Sequence, residues 1–258
     1  MSMNFKEKSL EQRLGEMTDI RAIQELCRQY GIRLTRAAGQ NFLVDSAIVG
    51  EMVRAGEVKK TDRVIEIGPG FGPLTVALAE AAGEVIAIEK DPRVCEVLRE
   101  NIAVFPNVRV KCGDILEIRN QELASGRPYK IVANLPYGIT SAALRKFTEI
   151  EPRPETITVM VQKEVAERVC AKAGDMSVLS VAVQFYGTAE IVRMVSRASF
   201  WPEPQVDSAI LRIRMKRREE NMDEKKFFQL VKIGFSSRRK QLQNNLAAGF
   251  HISNDEAK

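Results

Sequence analysis

The stretch RVIEIGPGFGPL, residues 63–74, decides the fold of this chain. Residues 64–67 form a short apolar run of the length expected for a buried strand, and a turn with three glycines follows. A helix-forming segment at 74–82 begins directly after that turn. Glycines let a backbone pass close to a ligand, so the stretch predicts a strand, a ligand-binding turn and a helix.

The same alternation of short apolar strands and amphipathic helices continues to residue 171. It predicts an α/β fold with a mostly parallel sheet that helices cover on both faces. Further β segments are predicted near 181–195 and 209–215, and residues 223–258 have helical patterns. We therefore predict a larger domain at residues 1–218, with an N-terminal helical extension, and a small C-terminal helical domain at 219–258. The other predicted strands are 85–88, 108–111, 131–133 and 156–161, and the other predicted helices are 20–30, 44–56, 92–102, a segment from about 141, and 163–171.

Composition limits the class of protein. Of the 258 residues 45% are apolar and 28% are charged, which is typical of a folded globular chain. No apolar run approaches the roughly 20 residues that a membrane-spanning helix needs. The N-terminal residues have no apolar signal core, so we expect a cytoplasmic protein.

The four cysteines are scattered and none forms a C-x-x-C pair. The single histidine, His251, stands near the C-terminal end. A metal site needs clustered ligands, so we expect no metal and interpret the cysteines as buried free thiols. A lone late histidine also argues against hydrolysis by a catalytic triad. The cysteines are Cys27, Cys95, Cys112 and Cys170.

Net charge is +5 and the isoelectric point is near 9.0. Two short stretches, 212–218 and 238–240, are especially rich in basic residues. Such clusters attract phosphates, although two solvated surface faces would have the same composition, and charge alone leaves both interpretations open. The candidates for RNA contact are Arg212, Arg214, Arg238, Arg239 and Lys240.

The glycine turn and the end of the second predicted strand indicate a nucleoside site. Glu89 ends that strand, 21 residues after Gly68. An acidic residue at this spacing can accept hydrogen bonds from both hydroxyls of a ribose. A glycine turn by itself is weak evidence, so these residues indicate only a Rossmann-like nucleoside site.

Three further features separate the possible cofactors. The third glycine is Gly72, where the dinucleotide fingerprint would place it at position 73, and Glu66 stands two residues before the first glycine. Both features resemble the first motif of class I methyltransferases. Asp114 follows the third strand where that class binds the adenine amine, although a turn aspartate would have the same place in the sequence. The resemblance implies S-adenosylmethionine as cofactor and a Rossmann-like, mostly parallel sheet of seven strands.

The segment Asn134-Leu135-Pro136-Tyr137 follows the fourth predicted strand. It resembles the four-residue motif of enzymes that methylate exocyclic amines. The side-chain oxygen of Asn134 and the carbonyl of Leu135 can hydrogen-bond the two N–H groups of adenine N6, whose lone pair is otherwise delocalised into the ring. Pro136 stiffens the turn, and Tyr137 offers a face for an extruded base. An ordinary turn between strand and helix is the alternative.

Other segments resemble the ribosomal RNA adenine dimethyltransferase family in sequence and spacing. The match covers residues 36–246. Its motifs are GQNFL at 39–43, VQKEVAER at 161–168, LSV at 179–181, FWPEPQVDSA at 200–209, FSSRRK at 235–240 and NNL at 244–246. In the family the LSV motif is expected to be a strand. Gln205 departs from the usual lysine, and 175–177 replace an aromatic-glycine pair.

The resemblance implies the site residues. It implies that Phe200 stacks on the target base opposite Tyr137, which completes the catalytic set with Asn134, Leu135 and Pro136. The expected cofactor-binding residues are Asn41, Leu43, Gly68, Gly70, Glu89, Lys90, Asp114, Ile115 and Asn134.

The family also implies the substrate. Its housekeeping branch dimethylates two adjacent adenosines in a hairpin loop near the 3′ end of 16S ribosomal RNA, and VDSA with RRK…NNL favours that branch. We expect a monomer acting on small-subunit RNA within a 30S assembly particle, without membrane. The alternatives are the branch that methylates 23S RNA in macrolide resistance and a non-catalytic RNA-binding or assembly factor. DNA adenine methylation is disfavoured because no separate sequence-reading domain is present.

Overall fold

The computed structural model describes residues 8–32, 41–216, 222–237 and 241–257. The helices are α1 (Leu10–Met17), α2 (Ile20–Gln29), α3 (Ser46–Ala55), α4 (Pro73–Ala81), α5 (Pro92–Ile102), α6 (Asn120–Ala124), α7 (Thr140–Glu149), α8 (Lys163–Val169), α9 (Val178–Tyr186), α10 (Glu224–Gly234) and α11 (Leu242–Phe250). The strands are β1 (Phe42–Leu43), β2 (Arg63–Ile67), β3 (Glu84–Glu89), β4 (Val108–Cys112), β5 (Lys130–Asn134), β6 (Thr156–Gln162), β7 (Gly187–Val195), β8 (Phe200–Trp201) and β9 (Ser208–Met215).

The described residues form a seven-stranded sheet in the order β4-β3-β2-β5-β6-β9-β7. The first five strands are parallel, whereas β9 runs antiparallel to both of its neighbours. This confirms the predicted mostly parallel sheet of seven strands and its predicted strands, except for the first part of the segment predicted near 181–195. The chain winds outward in opposite directions from β2 and β5, which are paired side by side. In open α/β sheets, ligands bind at such a point, beyond the carboxyl ends of the strands.

Alternate side chains of the central strands enter two different cores. Ile65 and Ile131 belong to one buried cluster, and Val64 and Val132 belong to another. All four are completely buried. Successive residues of a strand point to opposite faces, so both faces of this sheet are covered by helices, as the βα alternation predicts.

The N-terminal helices are packed on the main body. Ser9 caps α1 through a capping box with Gln12, and Asp19 caps α2 with its carboxylate. Leu14 of α1 lies in the core cluster that contains α3 and α4, and Ile23 of α2 packs with the buried Phe71. The described part of the N-terminal segment therefore covers the glycine turn.

Residues 181–186 correct a sequence prediction, because they belong to helix α9 and not to a strand. Ser177 caps this helix through a capping box with Ser180. The side chains of Leu179, Ala182, Val183 and Tyr186 are buried, and their spacing is the helical one. An apolar run rich in β-branched residues fits both patterns, and here the cap and the burial period favour the helix. LSV at 179–181 is helical for the same reason, and the strand begins at residue 187.

The C-terminal helices pack on α9 through aromatic rings. The rings of Phe185 and Phe227 stack with centroids 4.6 Å apart, and those of Tyr186 and Phe228 stack at 5.6 Å. The hydroxyl of Tyr186 donates to Glu224 at 3.2 Å. The helical character predicted after residue 223 is confirmed, and a domain boundary near residue 218 stays a prediction.

Cys95 and Cys112 are joined by a disulfide, which corrects the expectation that all four cysteines are free thiols. The two lie 17 residues apart in sequence, on α5 and at the end of β4, and only the parallel pairing of β3 with β4 brings them together. Cys27 and Cys170 are free.

Two absences hold within the described ranges. There, no group of three or more His, Cys, Asp or Glu side chains is arranged to hold a metal ion. In the same ranges, no helix combines the length and apolar character needed to cross a membrane.

Candidate active site

A cavity of about 750 Å³ opens at the carboxyl edge of the sheet, above the paired strands β2 and β5. Its volume is typical of a site for a nucleoside-sized ligand. The cavity wall includes every residue expected to bind a cofactor and the whole 134–137 turn. These lining residues are Asn41, Leu43, Gly68, Gly70, Glu89, Lys90, Asp114, Ile115, Asn134, Leu135, Pro136 and Tyr137.

The glycine turn after β2 leaves no room for side chains. Gly68 and Gly70 have φ angles of +65° and +58°, the left-handed region that favours glycine. A Cβ atom on Gly68 would lie 3.1 Å from Cδ of Pro136, and one on Gly70 would lie 3.0 Å from the Phe42 ring. The glycine turn, the 134–137 turn and β1 therefore meet at one wall of the cavity.

Glu89, the last residue of β3, is held by backbone amides. Its Oε1 accepts from the amides of Lys90 at 2.8 Å and Asp91 at 3.0 Å, and its Oε2 accepts from Gly70 at 3.3 Å. Burial raises the pKa of this carboxyl, while the amide hydrogen bonds oppose the shift. The carboxylate lines the cavity at the end of a parallel strand, where ribose hydroxyls bind in this kind of fold.

Asp114 lines the cavity two residues after the end of β4. Its Oδ2 accepts from Nζ of Lys90 at 2.8 Å, and its Oδ1 accepts from the amide of Leu116 at 2.9 Å. The Lys90 hydrogen bond holds the pKa of Asp114 below its usual value. The Lys90 side chain is 77% exposed and is paired with Asp114, and its predicted contact with the cofactor stays a prediction.

Glu66 is a site residue that the sequence prediction leaves out of the cofactor set. Its side chain is 1% exposed, lines the cavity and accepts from Oγ1 of Thr75 at 2.6 Å. Burial raises its pKa to about 8, against the lowering effect of Thr75, and the charge of Glu89 adds to the rise. The available sequence signal was an acid inside an apolar strand.

The 134–137 turn is fixed to neighbouring elements at three points. Asn134 ends β5, and its Nδ2 donates to the carbonyl of Asn41 at 3.2 Å, which leaves its side-chain oxygen as the acceptor on the other side of the amide. The amide of Leu135 donates to Met160 of β6 at 3.2 Å. The hydroxyls of Tyr137 and the buried Ser208 lie 2.8 Å apart. Ser208 belongs to VDSA, so this contact links two of the sequence motifs.

Comparisons with known proteins agree with this geometry. A sequence profile described as "Ribosomal RNA adenine dimethylase" matches residues 31–258. The chain belongs to this ribosomal RNA adenine dimethylase family.

Named relatives in the family are similar over most of their length. "Ribosomal RNA small subunit methyltransferase A" of Dehalococcoides mccartyi is 44% identical over 89% of this chain and 80% of the relative. The protein of the same name from Clostridioides difficile is 38% identical over 94% of this chain and 87% of the relative.

Two solved structures share the fold of this chain and retain substantial sequence identity. A dimethyladenosine transferase from Plasmodium falciparum superposes with a TM-score of 0.71 at 30% identity, covering 80% of this chain and 74% of that one. The 23S rRNA methyltransferase ErmE superposes with a TM-score of 0.70 at 32% identity, covering 81% and 84%. The fold is therefore that of the class I methyltransferases.

Phe200 does not take the position expected of this family's base-stacking ring. Its side chain is 3% exposed and lies in the core cluster that contains α3 and α4. It pairs with Leu43 across β1 and β8, so the alternation of the strand turns it inward and turns Trp201 toward Phe42. The ring of Phe200 is therefore buried rather than exposed in the cavity wall, and its stacking on a target base opposite Tyr137 stays a prediction.

Arg212 and Arg214 also lie elsewhere than expected. In β9 they pair with Thr158 and Thr156, near the start of β6 and hence at the edge of the sheet opposite the cavity. Both guanidinium groups bond to Glu57 and Glu190, with Nη1 of Arg212 2.8 Å from Oε1 of Glu57. Both arginines are thus paired with acids on the side of the sheet away from the cavity, and contact of Arg212 and Arg214 with RNA stays a prediction.

Some sequence predictions fall on residues outside the described ranges. The basic segment Arg238, Arg239 and Lys240 is among them, as are residues 217–218 of the first basic stretch and residues 39–40 of GQNFL.

Proposed function

We propose that this chain transfers methyl groups from S-adenosylmethionine to the N6 amines of two adjacent adenosines, in a hairpin loop near the 3′ end of 16S ribosomal RNA. One observation carries the proposal: Pro136 of the 134–137 turn packs against Gly68, so the surface for an adenine amine and the surface for a nucleoside cofactor share a wall. Membership of the ribosomal RNA adenine dimethylase family and the small-subunit names of its relatives support the same conclusion.

The residues at the cavity fit the proposed cofactor. Glu89 can accept the ribose hydroxyls, Asp114 the adenine amine, and the carboxyl of Glu66 lies where an ammonium group would be stabilised. Any side chain at Gly68 or Gly70 would fill the space beside them. When bound, S-adenosylmethionine supplies an electrophilic methyl group whose leaving group is a neutral thioether.

The protein's contribution to the reaction is to position the amine. The side-chain oxygen of Asn134 and the carbonyl of Leu135 accept the two N–H groups, which favours a more tetrahedral nitrogen with a directed lone pair. Tyr137 supports the extruded base with its half-buried ring, fixed by Ser208. No strong base is required, so positioning and electrostatics account for most of the acceleration.

The direct test uses small-subunit particles from cells that lack the modification. Purified protein with tritiated S-adenosylmethionine should label 16S RNA, and mass spectrometry of the 3′ fragment should find two adjacent dimethyladenosines. Free 16S RNA and partly assembled particles, run side by side, test our further proposal that a 30S assembly particle is the substrate. Gel filtration with activity measured across the eluted fractions tests our proposal that the monomer is the active form. Cell fractionation tests our proposal of a cytoplasmic location.

A second candidate is methylation of 23S RNA, favoured by the structural similarity to ErmE. Large-subunit particles in the same assay decide between the two, because the small-subunit proposal expects no label there. An absence of label in both particles, together with specific particle binding, would favour the non-catalytic assembly factor.

A further inference from the structure

The disulfide between Cys95 and Cys112 joins two segments that both reach the cofactor cavity. Cys95 lies in the first turn of α5, whose residues 92–94 line the cavity. Cys112 ends β4, and the next three residues line the cavity from the other side. The Cα atoms of the two cysteines are 6.1 Å apart. The cross-link therefore ties together the two walls that carry Glu89 and Asp114.

The carbonyl oxygen of Glu89 is the point where the disulfide meets the site. It accepts from the amide of Gly113 at 2.8 Å, and Sγ of Cys95 lies 3.4 Å from it. The sulfur of Cys95 thus contacts the backbone of Glu89, the acid proposed to hold the ribose, so a change in the bonding of this sulfur acts directly on that residue. Gly113 and Asp114 follow Cys112 directly, so a change at Cys112 acts on the other wall.

The two cysteines differ in accessibility. Cys95 is completely buried, whereas Cys112 is exposed. An exposed sulfur can be attacked by a thiolate from solution, which is the first step of thiol–disulfide exchange. Disulfides in cytoplasmic proteins are usually transient and often sense redox state.

We propose that Cys95 and Cys112 form a reversible thiol–disulfide site, and that the disulfide form binds the cofactor more tightly than the dithiol form. The proposal rests on the proposed cofactor site. Two glutathione molecules reduce the protein disulfide to two thiols and leave as one glutathione disulfide, so bonds, protons and electrons balance.

The physical reason is the loss of a constraint. With the disulfide intact, the end of β4 is held against α5 and the distance between Glu89 and Asp114 is fixed before the ligand arrives. Without the disulfide, these walls are joined by the backbone pairing of Glu89 with Cys112, by the Gly113 hydrogen bond to Glu89, and by the ion pair of Lys90 with Asp114. Lys90 is 77% exposed, so solvent weakens the ion pair, and α5 loses its covalent link to β4. Binding to the dithiol form must order these walls again, which lowers affinity.

The test measures the affinity for S-adenosylhomocysteine by calorimetry, with the whole protein oxidised or reduced. Reduction should weaken binding about fivefold or more. The Cys112→Ser variant should bind like reduced wild type in both conditions, since serine cannot form the disulfide. The Cys170→Ser variant, which removes a free cysteine, should keep the full response.

Linkage gives an independent measurement. In glutathione buffers of graded redox ratio, saturating S-adenosylhomocysteine should raise the equilibrium constant for forming the disulfide by the same factor as the affinity ratio. Alkylation and mass spectrometry of the peptides with Cys95 and Cys112 report the oxidised fraction.

Equal affinity in the two redox states, or thiols that stay free at every glutathione ratio, would overturn the redox proposal and leave the cofactor proposal standing. A protein that binds no S-adenosylhomocysteine in either state would overturn both, so the two failures are distinguishable.

Discussion

Charged side chains have different kinds of partner at the two edges of the sheet. At the amino edge, the first residues of three strands are paired: Arg63 of β2 bonds to Glu84 of β3 at 2.9 Å, and Lys130 of β5 bonds to Asp62 at 2.7 Å. At the carboxyl edge, the buried acids Glu66 and Glu89 are bonded to a hydroxyl and to backbone amides.

The difference in partners indicates that the amino edge contributes to stability and the carboxyl edge to function. Opposite charges that are paired stabilise each other. Burial of an acid without a cation raises its pKa, and keeping the carboxylate charged there lowers the stability of the fold. Proteins keep such groups chiefly where a ligand or a reaction needs them. The comparison predicts that changes at the carboxyl edge affect binding and turnover, and that changes at the amino edge affect folding.

The largest expected effect is that of Asn134→Ala. Loss of the acceptor for the adenine amine should lower methyl transfer by about a hundredfold or more, while binding of S-adenosylhomocysteine stays measurable. Tritium transfer and calorimetry measure the two. Asn107→Ala is the matched control at the amino edge, where Nδ2 of Asn107 donates to the carbonyl of Ala79 at 2.9 Å. Wild-type turnover by Asn134→Ala, or a comparable loss of turnover in Asn107→Ala, would contradict the contrast between the carboxyl and amino edges.

Arg63→Ala tests the amino edge. Arg63 is 7% exposed and also donates to the carbonyls of Leu123 and Ala124 at 3.0 and 2.7 Å. Its loss removes the hydrogen bonds to these two carbonyls and one of the three arginines that pair with Glu84, so the free energy of unfolding should fall by about 2 kcal/mol. Urea unfolding measures this, and the turnover of the folded variant at low temperature should equal that of the wild type. A specific loss of turnover would assign this edge a functional role.

Gly68→Ala and Gly126→Ala form a pair that separates backbone strain from contact. Both glycines have positive φ angles, +65° and +74°, so each variant should lose about 1 kcal/mol of stability. A Cβ at Gly126 meets nothing within 4 Å, whereas one at Gly68 lies 3.1 Å from Pro136. Only Gly68→Ala should weaken binding of S-adenosylhomocysteine, by about tenfold. Equal binding by both variants in calorimetry would argue against a shared wall.

The buried carboxyl of Glu66 should also make the stability of the protein depend on pH. Folding raises its pKa from 4.5 to about 8, so its contribution to stability is complete below pH 4.5 and is lost as pH rises through about 8. Relative to Glu66→Gln, the wild type should lose stability between these values. Urea midpoints across that range measure it, with the exposed Glu164→Gln as control. If the urea midpoints of the wild type and of Glu66→Gln changed with pH in the same way, the raised pKa of the buried Glu66 carboxyl would be contradicted.

The sequence predicted the central sheet well because its signals are local. The run at 64–67, the glycine turn and Pro92 at a helix start each specify a short element, and the cofactor set lies on the predicted strand ends. The strand prediction for residues 181–186 was wrong because an apolar run rich in β-branched residues fits a helix and a strand equally well until its burial is known.

The other features that the sequence did not predict are contacts between distant segments. The pairing of β1 with β8 buries Phe200, and the place of β9 in the sheet brings Arg212 to Glu57. The disulfide likewise depends on the pairing of β3 with β4. No residue spacing reports these pairings, so motif matching alone could not find them.

A crystal structure with S-adenosylhomocysteine and adenosine tests the central claim most directly. The account predicts that adenosine N6 lies within about 3.2 Å of both the side-chain oxygen of Asn134 and the carbonyl oxygen of Leu135, with Tyr137 against the base. Adenosine bound away from the 134–137 turn, or the homocysteine ligand bound outside the cavity of Glu89 and Asp114, would contradict it.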